Sequence, residues 1–132
     1  MNNLRKITYD KLLKVRNLGG RIYFMDAPMD AELPYVVFHF PSEGRTHREQ
    51  REVTLEIAVY DCERGNYNVA NQIEQLTDSI NFEFDYSSAQ TNNHSNNCSY
   101  WFRKIGRIAV PYPPESNIWR RELRYNVKTY DI

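Results

Sequence analysis

Two arginine-rich groups are the strongest candidates for chemistry in this 132-residue sequence. Arg45, His47, Arg48 and Arg51 fall in a polar stretch at positions 41–51, and Arg120, Arg121, Arg124 and Lys128 fall in the last alternating run. Guanidinium groups offer paired donors that suit phosphates and carboxylates alike. Glu49, Glu52 and Glu122 are interleaved with these cations. Mixed charge of this kind fits a solvated face, or a contact between subunits with complementary pairs, better than a phosphate track. The expected subunit-contact residues are Arg45, His47, Arg48, Arg51, Arg120, Arg121 and Arg124.

The remaining reactive residues do not assemble into a site. His94 and Cys98 have ligand-like spacing, but zinc takes three or four protein ligands. His39 alternates with Tyr35 and Val37 and reads as a hydrogen-bonded strand histidine. Glu52, Glu56 and Asp61 lie on one run, yet no apolar context raises one carboxylate against another, as acid–base work needs. The five glycines form no phosphate cradle, and no serine sits in a nucleophile elbow. No catalytic, metal-ligating or cofactor-binding residue is expected, and the reading is of a protein that is not an enzyme.

Composition points the same way. Lys plus Arg and Asp plus Glu are both 17, for a net charge of zero. That balance argues against a dedicated nucleic-acid binder and leaves self-association unopposed by long-range repulsion. Tyrosine is abundant, at 10 residues; it suits both strands and interfaces. Cys62 and Cys98 read as free thiols of a reducing compartment. The N-terminal residues lack an apolar signal core, and no run approaches the roughly 20 apolar residues that span a bilayer. A cytoplasmic site of synthesis and no membrane partner are expected.

The elements that must carry these residues follow from periodicity. Residues 3–16 read as a helix with Leu4, Ile7, Leu12 and Val15 on one face, stopped by Asn17-Leu18-Gly19-Gly20. Residues 21–25 and 35–40 read as strands, the second one central. Val53, Leu55, Ile57 and Val59 alternate with polar residues in a third strand, so positions 41–51 become the tip of a long hairpin. Val69, Ile73, Leu76 and Ile80 make a helical stripe over 67–81, with Asp78 and Asn81 at its fraying end. Residues 85–99 read as a polar loop. Residues 100–110 return to strand composition with a bend at Gly106, residues 111–117 form a stiff connector, and residues 119–130 form a long strand with one charged face. The expected fold is α+β over one domain, 1–132: an antiparallel or mixed sheet with two helices packed on one face and a projecting β-hairpin.

This ordered series resembles a family: the small tail-completion or tail-terminator proteins of long-tailed bacteriophages. The resemblance runs from the helix ending at Gly19-Gly20, through Arg21-Ile22-Tyr23-Phe24 with Asp26-Ala27-Pro28 and Leu33-Pro34-Tyr35-Val36-Val37. It continues through the charged hairpin and the strand from Val53 to Tyr60. The helix with Val69, Ile73 and Leu76 follows, and a strand with Arg121-Glu122-Leu123-Arg124-Tyr125 closes it. The family implies a structural virion subunit, typically in a hexameric ring, that ends the tail tube and joins it to the head. It implies as partners further copies of the chain, the tail tube protein and a head-completion or connector protein. DNA passing through the lumen is a transient contact. The location so implied is the head–tail interface of the virion, with assembly in the host cytoplasm. Two other roles fit the residues: a head-side connector subunit, and a small nucleic-acid-binding adaptor using the arginine segments. The hairpin supplies a candidate arm, and the loop at 85–99 a segment that orders on assembly.

Overall fold

A computed structural model of the chain describes residues 2–15, 18–41, 52–62, 68–85, 94–95, 98–110 and 118–131. Helix α1 spans Asn2–Leu13. Leu4, Thr8, Lys11 and Leu12, three or four residues apart along one stripe, are buried, while Lys6 and Asp10 form an exposed pair at 3.2 Å. Thr8 is fully buried and its hydroxyl donates to the Leu4 carbonyl at 2.8 Å, so its burial leaves no polar atom orphaned. The helix stops short of the expected residue 16. The Lys14 and Val15 amides reach back only three residues, to Lys11 and Leu12, which tightens the last turn. A turn follows in which the Arg21 amide donates to the Leu18 carbonyl at 2.9 Å. Its two central residues have φ of +56° and +80°, and only glycine takes both without strain, hence Gly19 and Gly20.

Among the described residues six strands make one sheet: β1 (Ile22–Phe24), β2 (Tyr35–His39), β3 (Glu52–Cys62), β4 (His94–Ser95), β5 (Cys98–Val110) and β6 (Ile118–Asp131). Their order is β1-β2-β3-β6-β5-β4. Strand β1 runs parallel to β2 and the other described pairs are antiparallel, so the sheet is mixed. Strands β2 and β3 have the register of a hairpin, from Tyr35 opposite Tyr60 to His39 opposite Glu56. Its tip, with Arg45, His47, Arg48 and Arg51, lies outside the described residues. Strand β2 lies inside the sheet, between β1 and β3, as expected of a central strand, but only one of its faces is buried. Val36 and Phe38 point into the core, and Tyr35, Val37 and His39 are half-exposed on the far side.

Helix α2 spans Val69–Asp85. Asn68 caps it, its side-chain oxygen accepting from the Asn71 amide at 3.1 Å. The expected end near residue 81 is exceeded by four residues, and the reason is tertiary. Phe84 is fully buried, 5.1 Å from the Phe102 ring and 5.4 Å from the Tyr125 ring. Asn81 accepts from the Tyr125 hydroxyl at 3.2 Å, and the Asp85 carboxylate accepts from the Lys104 amide at 2.9 Å. Packing overrides a polar sequence here. The expected polar loop at 85–99 is likewise corrected in part. Its described portion holds the end of α2, β4 and the start of β5, with His94 opposite Ser99 and Ser95 opposite Cys98. In β5 the bend at Gly106 is a bulge: Lys104 pairs with Tyr125 and Gly106 with Arg124, so Ile105 has no opposite residue.

Both helices lie on the same side of the sheet. Leu4, Leu12 and Val15 of the α1 region join Leu76, Ile80 and Phe84 of α2 in one cluster with Phe38, Leu55, Ile57, Phe102, Leu123 and Tyr125 of the sheet. The expected α+β arrangement is thus the observed one.

Lys11 is an unexpected member of this interior. Its Nζ donates to the Glu83 carbonyl at 3.0 Å and lies 5.6 Å from the Phe84 ring and 5.5 Å from the Phe102 ring. Burial, with the Lys14 charge adding and Glu83 opposing, lowers its pKa to about 8. Between that value and the ordinary 10.5 the unfolded chain holds a proton that the folded chain has released. Stability attributable to this residue therefore rises with pH across that window and is lowest below it. Urea midpoints measured from neutral pH upward should climb more for the natural protein than for Lys11→Met, whose thioether fills the site without a charge. Parallel pH profiles for the two would refute the assignment.

Candidate functional site

Among the described residues no helix covers the second face of the sheet, and the expected charged face of β6 lies there. Strand alternation decides who stands on it. In β6 the residues Leu123, Tyr125 and Val127 point to the helices, so Arg120, Glu122, Arg124, Asn126 and Lys128 point away. The antiparallel register then sets Arg124 opposite Glu56, Arg120 opposite Tyr60 and Lys128 opposite Glu52, while His39 of β2 stands opposite Glu56.

These neighbours form a connected network. Glu56 takes His39 at 3.3 Å through one oxygen and Arg124 at 3.4 Å through the other. Glu122, nearly buried, is held between Arg124 at 3.2 Å and Arg120 at 3.4 Å. A carboxylate so enclosed must have cationic partners, since burying it alone costs several kcal/mol. Lys128 and Glu52 make a looser exposed pair at 3.6 Å. Arg120 continues the network into an aromatic row. Its Nε donates to the Tyr60 hydroxyl at 2.9 Å, and its guanidinium lies 5.6 Å from that ring. Tyr60 stacks on Tyr35 at 5.0 Å, and Tyr35 meets Tyr23 edge-on at 5.8 Å. Burial, reinforced by Tyr60, Asp26 and Tyr23, raises the Tyr35 phenol above its usual value. A depression of about 90 Å³ lies among Met25, Val37, His39, Glu56, Ala58, Tyr60, Arg120 and Glu122.

The structure does not gather the sequence-selected arginines into one cluster. Arg120 and Arg124 share the open face. Arg121 points to the helix side, where it is paired with Glu74 of α2. The three carboxylates on one run separate as well. Glu52 and Glu56 are on the open face, whereas Asp61 is fully buried on the other and accepts from the Cys62 amide at 2.8 Å. The side chains of His94 and Cys98 lie outside the described residues. Among the described residues no three His, Cys, Asp or Glu side chains are placed to hold a metal ion, and no helix is long and apolar enough to cross a membrane.

Glu52, Glu56 and Glu122 are each committed to a cation. The tyrosine row was not foreseen, because Tyr23, Tyr35 and Tyr60 come from three strands whose register is invisible in the chain. The high tyrosine content was its one sequence signal. Tyr and Arg together are the residue types that dominate protein–protein contact energies.

No family model matches the chain, and comparison with curated proteins finds no match. Among solved structures, the chain is similar to a chain of a structure described as the virion of a native gene transfer agent particle. The TM-score is 0.59 at 13% sequence identity, over 96% of this chain and 93% of that one. At this identity the likeness is one of fold, and it extends over nearly the whole of both chains.

Proposed function

We propose that this chain is a structural subunit of a phage-like virion, and that copies of it form a ring at the head–tail junction which ends the tail tube and joins it to the head. The observation that carries the reading is the open sheet face: a Tyr–Arg surface on which Arg120 and Arg124 are matched by Glu56 and Glu122, on a protein of zero net charge. Such a surface can be covered by a neighbour without stranding an ion. The fold likeness to a chain of a gene transfer agent virion supports the same context. The family resemblance adds the expected copy number, six, and the expected partners: the tail tube protein and a head-completion or connector protein.

The adaptor role for nucleic acid is less favoured. Arg120, Arg121, Arg124 and Lys128 all have carboxylate partners. A phosphate backbone would have to break those pairs before it gained any contact.

Light-scattering mass and electron microscopy, with and without tail tube protein, test the ring. A closed oligomer under either condition is expected; a strict monomer under both would refute it. Replacing Arg45, Arg48 and Arg51 together with Ser should leave the far-ultraviolet circular dichroism spectrum unchanged while impairing assembly. Loss of folding in that variant would mean that the hairpin tip is core and not arm.

A further inference from the structure

We propose that neighbouring copies in the ring join through opposite ends of the sheet, the acidic, methionine-bearing segment between β1 and β2 of one copy seating on the Trp101–Arg103–Lys128 surface of the next. The inference rests on the ring reading and adds to it the surfaces that meet.

The first surface is anionic and apolar. Residues 25–34 carry Asp26, Asp30 and Glu32 and no cation. All three acids are exposed, and so are two methionines, Met25 at 66% and Met29 at 107%. Exposed methionines on a monomer surface are unsatisfied apolar area, and their flexible thioethers adapt well to an aromatic partner.

The second surface is its complement. On the open face at the other end of the sheet, Trp101 is 47% exposed beside the exposed cations Arg103 and Lys128. With Asn126 these residues line an open depression of about 380 Å³. Among the described residues Lys128 is paired with Glu52 at 3.6 Å. An indole flanked by an arginine and a lysine is suited to take a methionine on its ring and carboxylates on its flanks.

The two surfaces lie apart within one copy. Strands β3 and β6 lie between β2 and Trp101 and Arg103 of β5, and β3 lies between β2 and Lys128 of β6, so at roughly 4.8 Å per strand step the gap is about 10–14 Å of sheet. No ion pair joins Asp26, Asp30 or Glu32 to Arg103 or Lys128 among the described residues, which leaves the two surfaces available to meet on different molecules. Because the two patches differ, the contact is head-to-tail and not two-fold, which is the type that closes into rings.

Charge reversal tests this. One variant carries Asp26→Lys, Asp30→Lys and Glu32→Lys; the other carries Arg103→Glu and Lys128→Glu. Each alone should need about a hundredfold more protein to assemble, read by light scattering. An equimolar mixture should recover assembly near the natural concentration, in rings that alternate the two. Natural-like assembly by either variant alone would overturn this contact and leave the ring reading standing. Folded variants that fail to assemble when mixed would overturn it too. A natural protein that never assembles would overturn both. If a reversal variant loses its folded spectrum, the milder Asp30→Asn with Glu32→Gln, and separately Arg103→Gln, should each weaken assembly about tenfold; no weakening in either overturns the proposal.

Discussion

Ile57→Asp yields a chain with no cooperative unfolding transition. Ile57 is fully buried at the middle of β3, with Phe38 of β2 on one side and Leu123 of β6 on the other, and both are fully buried as well. The substitution removes an apolar side chain worth about 2–5 kcal/mol at such a site. It also places a carboxylate among apolar groups with no cation at hand, which costs several kcal/mol more unless the group takes up a proton. A domain of this size is stable by only about 5–15 kcal/mol. Leu55→Asp, one pleat away and fully buried, should behave alike. Thr54→Asp is the control: it stands on the half-exposed face of the same strand and should still fold. Circular dichroism melts of the three variants decide the matter. A sharp melt from Ile57→Asp would show that the helix-facing side of β3 has been wrongly identified.

Phe84→Ala is the second large effect. It should fold, but with stability lower by about 3–5 kcal/mol, the usual cost of emptying an aromatic site in a core. For a chain of this length that corresponds to a melting temperature lower by roughly 10–20 °C. The ring joins α2 to both β5 and β6, through Phe102 at 5.1 Å and Tyr125 at 5.4 Å. Its loss should also loosen the last turn of α2, whose remaining described ties are three hydrogen bonds: Asn81 with Tyr125, Asp85 with the Lys104 amide and the Glu83 carbonyl with Lys11. Amide exchange at residues 82–85 should therefore rise more than exchange in β3. Phe82→Ser, two residues away and 54% exposed, should change stability by no more than about 0.5 kcal/mol. Equal losses for the two variants would mean that the end of α2 is not seated as described.

Much of the framework was legible because alternation and helical spacing are local signals. Val53 to Val59 announced β3 and its buried side. Gly106 announced a break in β5, and Gly19-Gly20 the turn after α1. The far end of α2 was not legible. Asp78 and Asn81 look like a helix unravelling, and only the seat for Phe84 on β5 and β6 shows why it continues. The pairing of strands was beyond reach for a related reason. The hairpin of β2 and β3 is local, but the match of Glu56 with Arg124 or Tyr60 with Arg120 joins residues 60 or more positions apart, and nothing in either stretch encodes the other. The arginines of β6 stand out in the sequence as a chemical feature. Alternation already separated Arg121 from Arg120 and Arg124, and the structure supplies Glu74 as the reason it can sit on the helix side. The segment at 25–34 read only as a break between strands.

Strand β1 runs in the same direction as β2, and this shapes what kinds of change the protein can absorb. A chain leaving a strand at its far end must travel the whole way back before it can lay down a parallel neighbour, so no tight turn can replace residues 25–34. The fold requires the length of that overhang and the buried Pro34 at its end, but the exposed Asp26, Pro28, Met29, Asp30 and Glu32 are not held by packing. Point changes there are cheap for the architecture, while a short deletion would tear the first strand from its place. A surface of that kind can be rewritten residue by residue to suit a changing neighbour, with its reach held constant by the sheet beneath it.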